Sequence, residues 1–251
     1  MKVRFALAVL LVVFVPLTGH AEKKKKPLAL EVTAASAGLP LVTLTASDEP
    51  LSEVAGRLSA KLGTPIDVSP AARNFPVTIA LDQQPLDLTL RELSAQAYVD
   101  GILTGGATGK TSILTIYLRS ADEAAPPMAE LTKSTSETIM FFGNTEDPAL
   151  DPLAGQLDVT WRNDRLRVFA KKQVLSVVAA KIADVLGIPL ELIGDSREMI
   201  DVSVTDATVE QAMKALTPSV KLYHRKDLAT FRTTPVRLVV QEPSERPTPT
   251  P

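Results

Sequence analysis

Three stretches have residue types that could do chemistry: a glycine-rich run, TGGATGKTS at 104–112, a histidine in VKLYHRK, and an aromatic and cationic stretch, TWRNDRLRVFAKK at 160–172. A glycine-rich run ending in Lys-Thr suits a phosphate-cradling loop, whose amides ring the phosphate oxygens while a helix N-terminus stands behind them. Such a loop also needs a glycine five places before its Gly-Lys pair, and position 104 is Thr. The run continues into SILTIYLR, where Leu114, Ile116 and Leu118 alternate with Ile113, Thr115 and Tyr117 as in a strand, so no helix dipole would meet a phosphate. GATG at 106–109 also has the letters of a KH-type RNA-binding loop, but that loop joins two helices and this one joins two strand-like runs. Residues 105–110 are therefore expected to form a hairpin turn, and neither nucleotide nor nucleic acid is an expected partner.

Other catalytic arrangements find few residues to use. The chain has no cysteine and two histidines, of which His20 lies in the apolar N-terminal segment and His224 stands alone, too few for a zinc site or a histidine pair. There is no GxSxG elbow, and a serine nucleophile would have to recruit His224. The carboxylate pairs Asp48 with Glu49 and Glu191 with Asp195 match helix caps and solvated faces as well as any acid–base role. No catalytic residue, metal ligand or cofactor is expected, and the chain is not read as an enzyme.

The candidates that remain are for interaction: Trp161, Arg162, Arg165, Arg167 and Lys171, around a hairpin turn expected at Asn163-Asp164. One reading makes them a patch for an acidic partner or a polymer. The other turns Leu166, Val168 and Ala170 to a core, leaves Arg165, Arg167 and Lys171 as the wet face, and packs Trp161 across the strand pair. Ile139, Phe141 and Phe142, in TIMFF at 138–142, interrupt a polar linker; they either pack on the chain's own domains or form a docking strand.

A repeat organises the elements that must position these residues. PLSEVAGRLSAKLGTPIDVS (50–69) aligns without a gap to VLSVVAAKIADVLGIPLELI (174–193), so Leu51, Val54, Leu58, Gly63 and Pro65 match Leu175, Val178, Ile182, Gly187 and Pro189. VTIALDQQPLDLTLREL (77–93) matches DVSVTDATVEQAMKAL (201–216), and LEVT at 30–33 echoes LDVT at 157–160. In the first unit an alternating strand, LVTLTA, leads to a helix with Asp48 as its expected cap and Gly63 as its stop. A short strand, PIDVS, and a longer one, PVTIALD, follow; Pro85 then opens a second helix and a hairpin closes the unit. The fold class expected is α+β: two tandem small βαββαββ domains, each a mixed sheet covered by two helices.

The domain boundaries follow from these runs. Residues 1–21 have a basic start, an apolar run too short for the ~20 residues of a membrane span, and a small-residue exit, and are expected to be a cleaved export signal. Loss of Lys2 and Arg4, with no acid in that segment, takes the formal charge from −2 to −4. A basic linker at 22–28, the first domain at 29–120, an acidic proline-bearing linker at 121–155, the second domain at 156–241 and a proline-rich tail at 242–251 complete the chain.

The repeated unit resembles the short N-terminal domain shared by outer-membrane secretins and signalling TonB-dependent receptors. The resemblance is carried by PLSEVAGRLSAKLG, TPIDVS and VTIALDQQPLDLTLREL, and in the second unit by VLSVVAAKIADVLGIPLEL, IDVSVTDATVEQAMKAL, LATFR and VRLVV. It implies a periplasmic protein-interaction module whose partner is a secretin, pilus or TonB-system component, with self-association also open. It implies neither a catalytic motif nor a membrane-integral body once the signal is removed. Binding of peptidoglycan or another envelope polymer is the alternative.

Overall fold

The computed structural model describes residues 28–34, 39–128, 131, 156–194 and 197–241. Residues 1–27, with the expected export signal, most of the acidic linker with Ile139, Phe141 and Phe142, and the proline-rich tail lie outside the described residues. The fold is mixed α and β, with four helices and three sheets among the described residues.

The first repeat runs β1 (Ala29–Thr33), β2 (Leu41–Pro50), α1 (Leu51–Leu62), β3 (Ile66–Val68), β4 (Pro76–Pro85), α2 (Leu86–Leu93), β5 (Gln96–Thr104) and β6 (Thr111–Arg119). The second runs β7 (Leu157–Arg162), β8 (Arg165–Val174), α3 (Leu175–Leu186), β9 (Leu190–Ile193), β10 (Met199–Ala207), α4 (Val209–Ala215), β11 (Val220–Asp227) and β12 (Arg232–Gln241). Each repeat thus opens with one strand more than the βαββαββ order expected from the sequence.

Nor does each repeat keep its strands in one sheet. β1, β2 and β4 form a three-stranded antiparallel sheet, and β7, β8 and β10 form its counterpart. The remaining strands join into one six-stranded sheet ordered β3-β6-β5-β11-β12-β9, in which β5 of the first repeat pairs antiparallel with β11 of the second. The helices contact both the three-stranded and the six-stranded sheets. Strands that would be bare edges in an isolated repeat are thereby paired, and the outer edges of the long sheet are the short strands β3 and β9.

β2 shows how the sequence sets this up. Val42, Leu44 and Ala46 are buried while Leu41, Thr43 and Thr45 face outward, the period of two expected of a half-buried strand. Asp48 is not the helix cap that its position suggested. It has a φ of +58° at a register shift in the β2–β4 pairing, and its N–H donates to Thr78 Oγ1 at 3.0 Å. The strand then runs directly into α1, whose first amides are satisfied by backbone: Leu51 donates to the Phe75 carbonyl at 2.9 Å and Ser52 to that of Arg73 at 3.0 Å. α3 starts the same way, Leu175 donating to the Glu198 carbonyl at 2.7 Å, and Gly63 and Gly187 close α1 and α3 in left-handed conformation.

The apolar side chains gather in two clusters. The first is built around Leu44, Leu51, Leu58, Leu86, Leu90 and Ile116, the second around Val168, Leu175, Ile182, Met213, Leu222 and Leu238. Each also takes one leucine from the other repeat: Leu228 lies in the first cluster and Leu103 in the second. This exchange follows from the β5–β11 pairing, which carries each strand's end past the junction.

Candidate interaction surfaces and the junction between repeats

Asn163 and Asp164 have φ of 52° and 58°, and Arg162 pairs directly with Arg165, so β7 and β8 form a two-residue hairpin of the type that matches strand twist. Trp161 pairs with Leu166 and packs against the second cluster. Leu166, Val168 and Ala170 are buried, while Arg165, Arg167 and Lys171 are exposed on the other face. The structure therefore separates most of the expected patch: Trp161 is on the core side, and Arg162, Arg167 and Lys171 are on the wet side. Arg165, beside the turn, is the one cation that also borders a groove with Trp161.

On the wet face Arg167 Nε is 3.5 Å from Asp158 Oδ2 and both groups are exposed, a pairing worth at most about 1 kcal/mol. Arg162 and Arg165, directly opposite each other, repel unless an anion lies between them. The first repeat serves as an internal control, because β2 and β8 correspond position by position, down to the positive φ of Asp48 and Lys172. Where β8 has Arg165, Arg167 and Lys171, β2 has Leu41, Thr43 and Ser47. The fold does not require those cations.

The groove lies between the β7–β8 hairpin, the start of α4 and the turn between β11 and β12, and encloses about 790 Å³. α4 is fixed by a reciprocal cap whose sequence signature is TVEQ: Gln211 N–H donates to Thr208 Oγ1 at 3.2 Å and Thr208 N–H to Gln211 Oε1 at 2.9 Å. The Asp227 carboxylate holds the opposite turn by accepting from the Ala229 amide at 2.8 Å and the Thr230 hydroxyl at 2.9 Å. Phe231, at the tip of that turn, is exposed, with Arg91 of the first repeat 4.5 Å from its ring centroid. Arg232 Nη2 reaches Asp164 Oδ1 at 3.2 Å and links the two hairpins.

The glycine run at 104–112 is the β5–β6 turn, followed by strand β6. Its glycines serve the junction between repeats: a Cβ on Gly105 would stand 2.1 Å from the Thr217 carbonyl oxygen. Farther along the same strands Gly101 lies opposite His224, whose Cε1 would be 3.1 Å from a Cβ there. Matching bulges at Asp100/Gly101 and Tyr223/His224 flank this pair, making it the centre of a local twofold relation between the repeats. His224 is buried, and loss of solvent pushes its imidazole below the ordinary value against the opposing pull of Glu210 and Asp100.

Beside that centre Arg225 donates through Nε to Asp100 Oδ1 at 2.6 Å and through Nη2 to Oδ2 at 2.7 Å. Its remaining nitrogen donates to the Pro126 carbonyl, and its guanidinium lies 5.1 Å from the Tyr117 ring centroid. Burial raises the Tyr117 phenol above its ordinary value, and Asp100 pushes in the same direction. A second buried pair, Arg237 Nη1 to Glu191 Oε2 at 3.0 Å, holds β12 to the edge strand β9. Neither pair was anticipated. The available signal was a charge inside otherwise apolar strand runs, Asp100 in YVDGILT and Arg237 in PVRLVV.

Among the described residues no group of three or more His, Asp or Glu is placed to hold a metal ion, and no helix is long and apolar enough to cross a membrane. The chain matches no family model, no curated protein and no solved structure.

Proposed function

We propose that the protein is a non-enzymatic periplasmic interaction module, made of two copies of a secretin-type short N-terminal domain, that docks to an outer-membrane secretin-type secretion or pilus machine or to a TonB-linked system. The observation that carries this reading is the six-stranded sheet. It fixes two related helix-and-sheet units in one body and leaves their three-stranded sheets facing outward, a two-site arrangement suited to a partner that repeats its own surface.

Faces, more than edges, are the docking elements in this reading. Of the free edges, β1 is short, β4 begins and ends with proline, and the pairings of β4 and β10 are interrupted by bulges, features that discourage strand addition. The outward face of the first repeat carries Glu31, Thr43, Thr45, Thr78 and Asp82; that of the second carries Arg162, Arg165, Arg167 and Lys171. The difference gives the module an acidic and a cationic end, and the cationic end fits an acidic protein surface.

The test is affinity isolation from crosslinked envelopes with mass spectrometry. Enrichment of a secretin, pilus or TonB-system component that falls away on Arg165→Glu with Arg167→Glu is the expected result. Recovery of wall polymer or wall enzymes alone contradicts the reading.

A further inference from the structure

We propose that the groove bounded by the β7–β8 hairpin, α4 and the β11–β12 turn is a binding site for a neutral oligosaccharide strand. This activity is separate from protein docking and does not depend on it. The groove volume, about 790 Å³, falls within the ~300–1,000 Å³ range of small-ligand sites. Aromatic rings border it from both hairpins: Trp161, the only tryptophan of the chain, and Phe231, which is 48% exposed. Sugar rings have C–H groups on their flat faces and hydroxyls around their edges. An aromatic ring accepts the face, and fixed polar side chains accept and donate at the edge.

The charge of the lining selects against other ligand classes. Arg165, Lys226 and Arg232 are balanced by Asp164, Glu210 and Asp227. A polyanion would meet three carboxylates and a polycation three cationic groups, whereas a neutral polyol finds a donor or an acceptor beside each hydroxyl. The three carboxylates also have partners before any ligand arrives. Arg232 is tied to Asp164, the Thr233 hydroxyl donates to Glu210 Oε1 at 3.2 Å, and Asp227 holds its own turn. Each keeps unused hydrogen-bonding capacity, so little ordering is left for binding to cost.

The repeat again supplies a control. In the first unit Leu86 and Asp87 take the places of Val209 and Glu210, and Leu39 that of Asn163. The space beside them is only about 160 Å³; Leu39, Leu86, Leu90 and Leu228 line part of it, and Glu210 and Lys226 border both spaces. The two spaces thus share Glu210 and Lys226, and what sets the larger one apart is Trp161 and Phe231 where the smaller has leucines.

Trp161 makes the site directly observable. Titration of the full chain with chitotetraose, a neutral β-1,4-linked oligomer of N-acetylglucosamine, is expected to change tryptophan emission saturably and independently of added salt. Calorimetry of Phe231→Ala and Glu210→Gln, both surface changes at the groove, is expected to show binding weakened about tenfold or more; Arg167→Glu, on the opposite face of the hairpin, leaves it unchanged. Should Phe231→Ala also lower the melting temperature, Glu210→Gln alone decides. An emission that chitotetraose leaves flat, a response only to polyphosphate that salt abolishes, or binding lost with Arg167→Glu but kept in both groove variants would each overturn the proposal.

Discussion

Asp100 and Arg225, 125 residues apart in the chain, form a two-pronged ion pair at 2.6 and 2.7 Å with both side chains only 3% exposed. The same guanidinium binds the Pro126 carbonyl, so one side chain holds the strand junction, the partner repeat and the start of the inter-repeat segment. Removing either partner strands a buried charge, at a cost of about 3–5 kcal/mol. Asp100→Asn and Arg225→Met should each lower stability by that order in urea titrations. The double change Asp100→Leu with Arg225→Met should recover much of it, because two apolar groups leave no charge unpaired. A double variant less stable than either single one would show the two residues to be independent.

The exchange of leucines predicts that damage crosses the junction. Leu228, 1% exposed, follows a strand of the second repeat but packs in the first cluster. Leu228→Ala is expected to cost about 2–5 kcal/mol and to raise amide exchange in α2 and β5, at the far side of the junction. Faster exchange confined to the second repeat would contradict the exchanged packing.

Two glycines should respond in opposite directions to the same substitution. A methyl on Gly105 meets the Thr217 carbonyl oxygen at 2.1 Å, so Gly105→Ala must push the β5–β6 turn away from the second repeat and should destabilise by about 1–3 kcal/mol. Gly56 lies within α1 with nothing within 4 Å of a new Cβ, and Gly56→Ala should stabilise by about 0.5–1 kcal/mol. Thermal melts of the two variants check both signs.

Burial of His224 gives a pH dependence with a definite sign. Above the unfolded value of about 6.5 both states hold a neutral ring and His224 adds no slope. As pH falls below that value the unfolded chain takes up a proton that the buried ring resists, so stability declines from there downward until the folded ring also protonates. His224→Gln should flatten the part of the stability profile below about pH 6.5 relative to the parent chain. Parallel profiles would show that the ring is solvated in the folded state.

Local features of this fold were legible in the sequence and long-range ones were not. Leu51, Val54 and Leu58 recur at helical spacing and Val77, Ile79 and Leu81 at strand spacing, so the helices and hairpins could be placed from neighbours in the chain. The joining of β5 to β11 depends on partners far apart in sequence, and no periodicity records it. The role of Asp48 is not legible locally, because Asp before a helix suits a cap and a bulge equally, and only the Thr78 hydroxyl across the sheet distinguishes them. The patch around Trp161 was half legible: alternation assigned the wet and buried faces of β8, but the groove also needs Phe231 and Glu210, which come from elements dozens of residues later.

The most direct test of the docking account places a photocrosslinking amino acid at Thr43 and at Arg167, equivalent positions on the outward faces of the two repeats, with Lys61 on α1 as the control. After irradiation of intact envelopes, the account predicts adducts from both faces to one and the same outer-membrane assembly component, and none from position 61. Adducts from position 61 alone, or no adduct from either face to such a component, would contradict it.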